Sequence, residues 1–429
     1  MNPVLCLVCI MLAPFAAAGL GLIHQGLGRS RSAAQAMLAT LCAIGISAIV
    51  FVLFGSAWAG YAGGPAHTIH AGGAAWDWLG AGKFFPNGIG LDPADSAGLT
   101  RSLTLCLEMV AAGLVAIVPL SAGTDRWRLA PICLSSGVLA CFLFPIFAHW
   151  TWGGGWLAQL GPHFGIPAFV DPGGAAVIQV IGGLMAVSVA WINGPRRGKF
   201  ADDGMPSAIP GHNIVQVLFG CLLALVGWIG LDAAASILFY GAGPQQVVWI
   251  VINATLSGSA GCLAAVTVTR ARYKKPDASL SANGWIAGLV AGSAACALVT
   301  PVGAVDIGIV AGVLVTYMIE IAELRLQVDD PGGAVSVHAG AGLWGLVAVG
   351  LLGHFPDGNR YGHLLAQLVG IAALLGFMLP LIYGANLLMD RFMPYRVDSD
   401  GDWQGMDIRE LGAGAYPEFV VHADEFVPR

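Results

Sequence analysis

The feature of this sequence that most constrains its fold is a series of eleven predominantly apolar stretches, each near 20 residues long. A helix needs about 20 such residues to cross the roughly 30 Å hydrocarbon core of a bilayer. Charged residues are 10% of the chain, against roughly 25% in an average soluble domain, and mean hydropathy is +0.76. We therefore predict an all-α polytopic membrane protein with eleven transmembrane helices. They cover residues 2–24, 33–59, 98–120, 129–149, 173–194, 212–240, 246–269, 280–299, 304–324, 333–353 and 362–390.

The basic residues predict the orientation, because Lys and Arg prefer cytoplasmic loops. With the N-terminus outside, all of the 19 Lys and Arg residues except Lys83, Arg101 and Arg360 fall on the cytoplasmic side. We expect residues 1–393 to form a transmembrane domain in the inner (plasma) membrane of the cell and residues 394–429 to form a cytoplasmic tail. No basic residue precedes the first apolar stretch, which argues against a cleaved signal sequence there.

A 14-residue motif occurs twice, starting at Asp171 and again 159 residues later at Asp330. Both copies begin Asp-Pro-Gly-Gly-Ala, and seven of the fourteen positions match. Asp is a preferred N-cap and Pro is tolerated at the first helical position, so Asp171 and Asp330 are expected to have a structural role at helix starts. The two copies enter the membrane from opposite sides. This predicts an inverted repeat that relates helices 1–5 to helices 6–10, followed by a long eleventh helix.

Each copy places one polar side chain eight residues after its aspartate, at Gln179 and His338. Eight residues at ~1.5 Å rise carry these side chains about 12 Å inward from opposite faces, close to the bilayer midplane. We predict that they line one pore. The alternative is a buried hydrogen bond between helices that no substrate touches.

Several classes of function are disfavoured by the motifs. The nine cysteines fall inside predicted spans, and the Cys6-x-x-Cys9 pair lacks the second ligand pair of a zinc site. Phosphate-binding loops, hydrolase motifs and histidine pairs with metal-ligand spacing are not found in the sequence. We expect no enzyme activity, no cofactor, no metal and no nucleic-acid partner.

Four segments resemble the Amt/Mep/Rh ammonium transporters. They are residues 148–156, 171–179, 328–345 and 404–416. The resemblance runs over nearly the whole chain. It implies an ammonium-transporter-like fold of eleven helices, a homotrimer with one pore per subunit, and conduction of ammonium or ammonia.

The same resemblance suggests roles for individual residues. Trp152 resembles the tryptophan that attracts a cation to the outer vestibule, an interaction worth about 0.5–2 kcal/mol. Trp150 and Trp156 are interpreted as members of the interfacial aromatic belt. Asp171 resembles the buried aspartate that orders the outer end of its helix, and His338 resembles the second member of a central histidine pair.

Other positions depart from the family pattern. The first histidine of the pair is replaced by Gln179, which does not titrate near neutrality, so a proton relay between two imidazoles is excluded. The two phenylalanines that usually close the outer entrance align with Ala111 and Leu231, which predicts a wider entrance. The serine that helps hold the ion aligns with Ala235, next to Ser236.

Two acidic residues lie inside predicted spans, at Glu108 and Asp232. An ionisable group costs roughly 3 kcal/mol or more at the bilayer centre and usually faces a wet cavity or a partner. By alignment with the family, both would lie near the outer vestibule and concentrate cations there. The alternative for Glu108 is a protonated side chain bonded to a neighbouring helix.

The family likeness of the tail suggests that it packs across the cytoplasmic face of the trimer. In relatives this face meets trimeric PII regulators. Gln404, Leu411 and Ala413 replace residues that the family usually keeps, which argues against such regulation.

The function predicted from the sequence is membrane transport of ammonium, ammonia or methylammonium through a pore in each subunit. Two alternatives are open. The first is a non-conducting ammonium sensor or receptor, and the second is a channel for a larger amine or a neutral gas.

Overall fold

The structure, a computed structural model, describes residues 1–86 and 95–416. Among these residues, ten helices are long and apolar enough to cross a bilayer, and a shorter helix, α8, lies between two of them. This confirms the all-α polytopic class. The helices are α1 (Pro3–Leu27), α2 (Ser30–Ala59), α3 (Ser96–Gly123), α4 (Leu129–Thr151), α5 (Ala175–Asn193), α6 (Ile214–Tyr240), α7 (Pro244–Tyr273), α8 (Ala278–Ser293), α9 (Pro301–Leu324), α10 (Val335–Leu352) and α11 (Arg360–Phe392).

The predicted span at residues 280–299 is helical only as far as Ser293, and α8 has 16 residues. The count of eleven full-length spans is therefore not confirmed. Residues 294–299 form turns before Pro301, which opens α9 and disfavours helical backbone in the residue before it. Asn253 of α7 donates hydrogen bonds to the carbonyl oxygens of Cys296 and Val299. The side chain thus satisfies non-helical backbone that a bilayer would leave unpaired.

The two predicted halves pack against each other through small residues. On α1 and α6, a Cβ added to Gly19 would stand 2.5 Å from the carbonyl oxygen of Gly220, and one added to Gly220 would stand 2.6 Å from that of Gly19. Side chains at either position would force the helices apart. The first helices of the two halves therefore meet backbone to backbone, as small residues permit in membrane proteins.

The loop between α2 and α3 contains a β-hairpin that the sequence analysis did not predict. Strands β1 (Ala66–Ala71) and β2 (Ala74–Gly80) pair antiparallel. Hydrogen bonds from Thr68 and Gln159 hold Asp77 of this hairpin and lower the pKa of its carboxyl.

Trp150 is buried beneath the hairpin. Its Nε1 donates to the carbonyl oxygen of Trp78, and its ring packs against Trp156 and Phe377. The assignment of Trp150 to the interfacial aromatic belt is not supported, because its ring is buried and its polar atom is paired inside the protein.

At the opposite end of the helices, a network of buried charges joins the loops. Arg196 donates to both carboxylate oxygens of Asp329 and also to Asp125. Arg126 is fully buried and donates to the carbonyl oxygen of Asp329. Burial raises the pKa of the Asp329 carboxyl, but the charges of Arg126 and Arg196 outweigh it and lower that pKa to about 2.

The described part of the tail packs on this same face of its own subunit. Asp402 pairs with Arg396 and lies 3.9 Å from Arg29. The carboxylate of Asp407 accepts hydrogen bonds from the backbone N–H groups of Ala34 and Gln35 in the first turn of α2. The tail is therefore fixed to the start of a transmembrane helix.

Candidate functional site

The two copies of the repeated motif begin their helices in the same way. Asp171 accepts hydrogen bonds through Oδ2 from the backbone N–H groups of Ala176 and Val177, at 2.9 and 3.0 Å. Asp330 accepts one from Val335 at 2.7 Å. Both aspartates therefore bind the orphan N–H groups of a helix start, as their predicted structural role requires.

The helices begin later than the sequence predicted. Pro172 lies in a turn, and helical backbone starts at Ala175 and Val335. In each copy of the motif the backbone changes direction at a glycine with left-handed backbone, Gly174 with φ +84° and Gly333 with φ +72°. The prediction of proline at the first helical position is wrong, because this left-handed residue must follow it before the helix can start.

Both helices open with a π-helical segment, over Ala175–Val180 in α5 and Val335–Gly340 in α10. Gln179 and His338 each lie inside one of these two segments. A π-helical segment alone does not mark the site, because four others lie elsewhere in the described chain, at Phe51–Gly55, Leu139–Leu143, Leu374–Met378 and Asp407–Leu411.

The contacts between α5 and α10 show an antiparallel crossing. A Cβ added to Gly183 would stand 2.3 Å from the backbone nitrogen of Ala339, and one added to Gly342 would stand 2.6 Å from a methyl group of Val180. Gly183 and Gly342 are equivalent in the repeat, as are Val180 and Ala339. Each copy therefore contacts the other through the same pair of positions.

Gln179 and His338 meet at this crossing. Both are buried, and His338 Nδ1 lies 2.7 Å from Gln179 Oε1. A carbonyl oxygen only accepts, so Nδ1 carries the hydrogen and Nε2 of the neutral ring is an acceptor. The Nε2 of Gln179 is buried without a hydrogen-bond partner in the described parts of the chain.

His24 of α1 is a third buried polar group in this region, and the sequence analysis did not select it. Its charge and that of His338 would repel each other if both rings were protonated. Its Nδ1 has no partner within residues 1–86 and 95–416. The signal available in the sequence was an isolated histidine near the end of an apolar span.

Trp152 lies at the end of α4 and is also buried. Its Nε1 donates to the carbonyl oxygen of Asp171 at 3.0 Å, which ties the indole to the start of α5. Phe239 of α6 stacks on the indole with ring centroids 4.5 Å apart and an interplanar angle of 11°. One face of Trp152 is therefore covered by another aromatic ring.

Ala111, Leu231 and Ala235, the positions where the family resemblance implied other side chains, are all buried. Leu231, Ala235 and Phe239 lie four residues apart and share one face of α6. Phe239 thus places an aromatic ring on the same face of α6 as Leu231 and Ala235. Ser236 donates to the carbonyl oxygen of Pro172, so its hydroxyl holds the turn before α5.

The structure does not bring Glu108 and Asp232 into one cavity of the described chain. Asp232 is 1% exposed and packs beneath Gly173, where an added Cβ would stand 2.5 Å from its Oδ1. Glu108 instead lies in an outer cavity of about 770 Å³ that Tyr61 and Arg101 also line.

Within the described residues, no cluster of His, Cys, Asp and Glu side chains has the composition of a metal site. The features that stand out are two antiparallel helices with irregular starts and a polar pair between them. In a polytopic membrane protein this arrangement defines a membrane transport protein.

The chain belongs to the Ammonium Transporter Family, whose model matches residues 4–416. It is 31% identical to the ammonium transporter Amt2 of Archaeoglobus fulgidus over 96% of this chain and 88% of the relative. It is 28% identical to an ammonium transporter of Bacillus subtilis over 96% of this chain and 97% of that relative.

Solved structures agree with this assignment. A protein described as a sensor Amt protein superposes with a TM-score of 0.86 at 25% identity, covering 96% of this chain and 98% of that chain. Mep2 of Candida albicans has the same fold, with a TM-score of 0.79 at 22% identity over 97% of this chain and 90% of its own.

Proposed function

We infer that this protein transports ammonium across its membrane through a passage lined by Gln179 and His338. The observation that carries this inference is the buried hydrogen bond between these two side chains at the crossing of α5 and α10. The chain's membership of the Ammonium Transporter Family supports the substrate.

The hydrogen-bonding capacity of the pair fits an amine. The bond between Nδ1 and Oε1 leaves a donor at Gln179 Nε2 and an acceptor at His338 Nε2. An unpaired buried donor costs about 1–3 kcal/mol, so a transient partner at this point is favoured. Ammonia both donates and accepts, and it can satisfy both groups.

We propose that the moving species passes the pair uncharged. Transferring an unpaired ion into an apolar interior costs far more than transferring a neutral amine. Gln179 does not titrate, so His338 is the titratable side chain of this pair. The proton of ammonium must therefore leave the substrate before or at His338.

At the outer end we propose that Trp152 and Phe239 form an aromatic gate. Phe239 covers one face of the indole, and movement of Phe239 would expose that face to a cation. The tie between Trp152 and the carbonyl oxygen of Asp171 would hold the indole in place while Phe239 moves. Asp232 is less well placed than Trp152 to attract the cation, because its carboxyl group is enclosed under Gly173.

We also propose the oligomeric state and the membrane orientation that the family resemblance implies. The protein is a homotrimer in the inner (plasma) membrane, with the N-terminus outside and the tail in the cytoplasm. The buried charge network and the docked tail then lie on the cytoplasmic face, in agreement with the basic residues of those loops. Native mass spectrometry of the detergent-solubilised protein would test the trimer.

A sensor that binds ammonium without conducting it is the second candidate. Gln179 at the position of a family histidine favours it, and so does the likeness to a solved sensor Amt protein. Both candidates use the same binding residues, so only flux separates them.

The test is uptake of radiolabelled methylammonium by proteoliposomes, compared with protein-free liposomes. Transport predicts saturable uptake that Trp152→Leu weakens by raising the half-saturating concentration about 2- to 30-fold, the range that a cation–π contact of 0.5–2 kcal/mol gives. Saturable binding to the protein with uptake at the level of protein-free liposomes would establish the sensor and end the transport account.

A further inference from the structure

The outer cavity beside α3 is separate from the passage described above. Its volume is about 770 Å³, within the range of pockets that hold small organic ligands. Neither the polar pair nor Trp152 contributes to its lining, which comes from the end of α2, the segment after the hairpin and the outer half of α3.

The most unusual group in this cavity is the carboxyl of Glu108. The residue is 3% exposed and lines the cavity, yet no described side chain donates to it or pairs with its charge. A buried carboxyl group without a partner is costly in an apolar membrane protein. The carboxyl group of Glu108 is therefore placed to bind a ligand that carries a hydrogen-bond donor or a positive charge.

Groups of opposite charge lie nearer the mouth of the cavity. Arg101 is on the same face of α3, seven residues before Glu108, so the two Cα atoms are about 10 Å apart. Its guanidinium lies over the ring of Tyr61 at 5.8 Å, is half exposed, and lies 3.7 Å from a carboxylate oxygen of Asp95, whose own side chain is partly exposed. Lys83 lines the same cavity. A purely cationic ligand would be repelled at this end, and a purely anionic one would be repelled by an ionised Glu108.

The wall between the charged ends is largely apolar. Phe84, Phe85 and Leu105 contribute to it, and Phe85 holds a left-handed backbone conformation with φ +50° while its N–H donates to the carbonyl oxygen of Leu53. This wall suits a short methylene chain between two charged groups.

We propose that this cavity binds a zwitterion whose primary ammonium group pairs with Glu108 and whose carboxylate or phosphate group pairs with Arg101 and Lys83. The separation of the charged residues favours an ω-amino acid over an α-amino acid, in which the two charges are adjacent. The headgroup of phosphatidylethanolamine carries the same two groups, so the ligand is either a free solute or that lipid.

The test measures binding, without flux, to the full-length protein in detergent. Isothermal titration calorimetry with 5-aminovalerate is compared with propylamine, valerate and glycine, and native mass spectrometry compares short-chain phosphatidylethanolamine with phosphatidylcholine. We expect saturable binding of 5-aminovalerate, at least tenfold tighter than that of the three soluble comparison compounds. Selective retention of phosphatidylethanolamine alone would also support the proposal and identify the lipid as the source.

The variants are Glu108→Gln, Arg101→Gln and the cavity-filling Leu105→Trp, with Arg360→Gln as a matched loss of charge on the outer side. Each of the first three should weaken zwitterion binding at least tenfold, and the Arg360 variant should bind as the parent does. If Glu108→Gln does not fold, zwitterion binding to Arg101→Gln and Leu105→Trp tests the proposal. The proposal is overturned if neither zwitterion binds the parent, if propylamine or valerate binds as tightly, or if the cavity variants retain the parent's affinity.

Discussion

The imidazole of His338 donates from Nδ1 to the amide oxygen of Gln179 across 2.7 Å, and the two residues come from antiparallel helices 159 positions apart in the sequence. The bond fixes the tautomer of the histidine, so its Nε2 is an acceptor whenever the ring is neutral. A single hydrogen bond thus sets which groups the pair can offer to a passing molecule.

Replacing Gln179 by Leu should damage both stability and uptake. The change leaves the buried Nδ1–H of His338 without a partner, at a cost of about 1–3 kcal/mol, and frees the ring to reorient. We expect a lower thermal unfolding temperature and methylammonium uptake reduced at least tenfold. Gln179→His is the matched control and should retain uptake with a new dependence on pH between about 5 and 8. Uptake by the Leu variant equal to the parent's would contradict this role.

Phe239→Ala should change selectivity at the outer entrance. Removing the stacked ring uncovers one face of Trp152 and opens space on the face of α6 that carries Leu231 and Ala235. We expect ethylammonium to compete with methylammonium about tenfold better than in the parent, since one methylene group is worth about 1–3 kcal/mol in a fitted site. Competition is measured in proteoliposomes, with Phe239→Tyr as the variant that keeps the stack. An unchanged competition profile would show that Phe239 does not limit the entrance.

The caps of α5 and α10 should respond alike to the same substitution. Asp171→Ala and Asp330→Ala each remove the oxygen that accepts from the first helical N–H groups, and each should cost about 0.5–2 kcal/mol. Thermal unfolding in detergent measures the loss. Asp171→Asn keeps an acceptor oxygen and should lose less. If the Asn and Ala variants are equally unstable, the charge of the aspartate and not its hydrogen bonds is what matters.

Stability should fall in acid partly through Asp329. Its pKa in the folded protein is about 2, below the roughly 3.9 of an unfolded chain, so the carboxylate stabilises the fold above pH ~4 and this contribution is lost as pH falls through 2. The shift corresponds to about 2–3 kcal/mol. Asp329→Asn leaves Arg126 and Arg196 as buried cations without this partner and should be less stable at neutral pH by about 3–5 kcal/mol.

The check is the difference in unfolding temperature between the parent and Asp329→Asn at several pH values. This difference should shrink between pH 4 and 2. A difference that stays constant over that range would mean that Asp329 does not titrate with the folding transition.

The sequence placed Asp171 and Asp330 near helix starts and Gln179 near His338, and the structure has these contacts, because both follow from spacing along helices that must cross a fixed thickness. The late helix starts were missed. Gly174 and Gly333 adopt left-handed backbone, and the preceding Gly173 and Gly332 pack closely on Asp232 and Ser121; such contacts are not visible in a linear pattern.

Side chains that act across helices were harder to predict. Phe239 lies in an apolar span, and nothing in its own segment distinguishes it from lipid-facing or packing residues, whereas His24 was marked only by being an isolated histidine at the end of a span. Phe239 becomes informative only when α6 places it against Trp152 of α4. The early end of α8 was missed for a similar reason. Asn253 from α7 donates to the carbonyl oxygens that follow the last turn of α8, and this contact is not visible in the sequence of α8 itself.

The central claim is that the substrate passes Gln179 and His338 as an uncharged amine, and the most direct test is methylammonium uptake by proteoliposomes that contain His338→Leu. The variant removes the acceptor and the group that can take a proton, while its isosteric apolar side chain still fills the crossing of α5 and α10. We predict saturable uptake by the parent and uptake at the level of protein-free liposomes for the variant, with both proteins folded. Equal uptake by parent and variant would contradict the account.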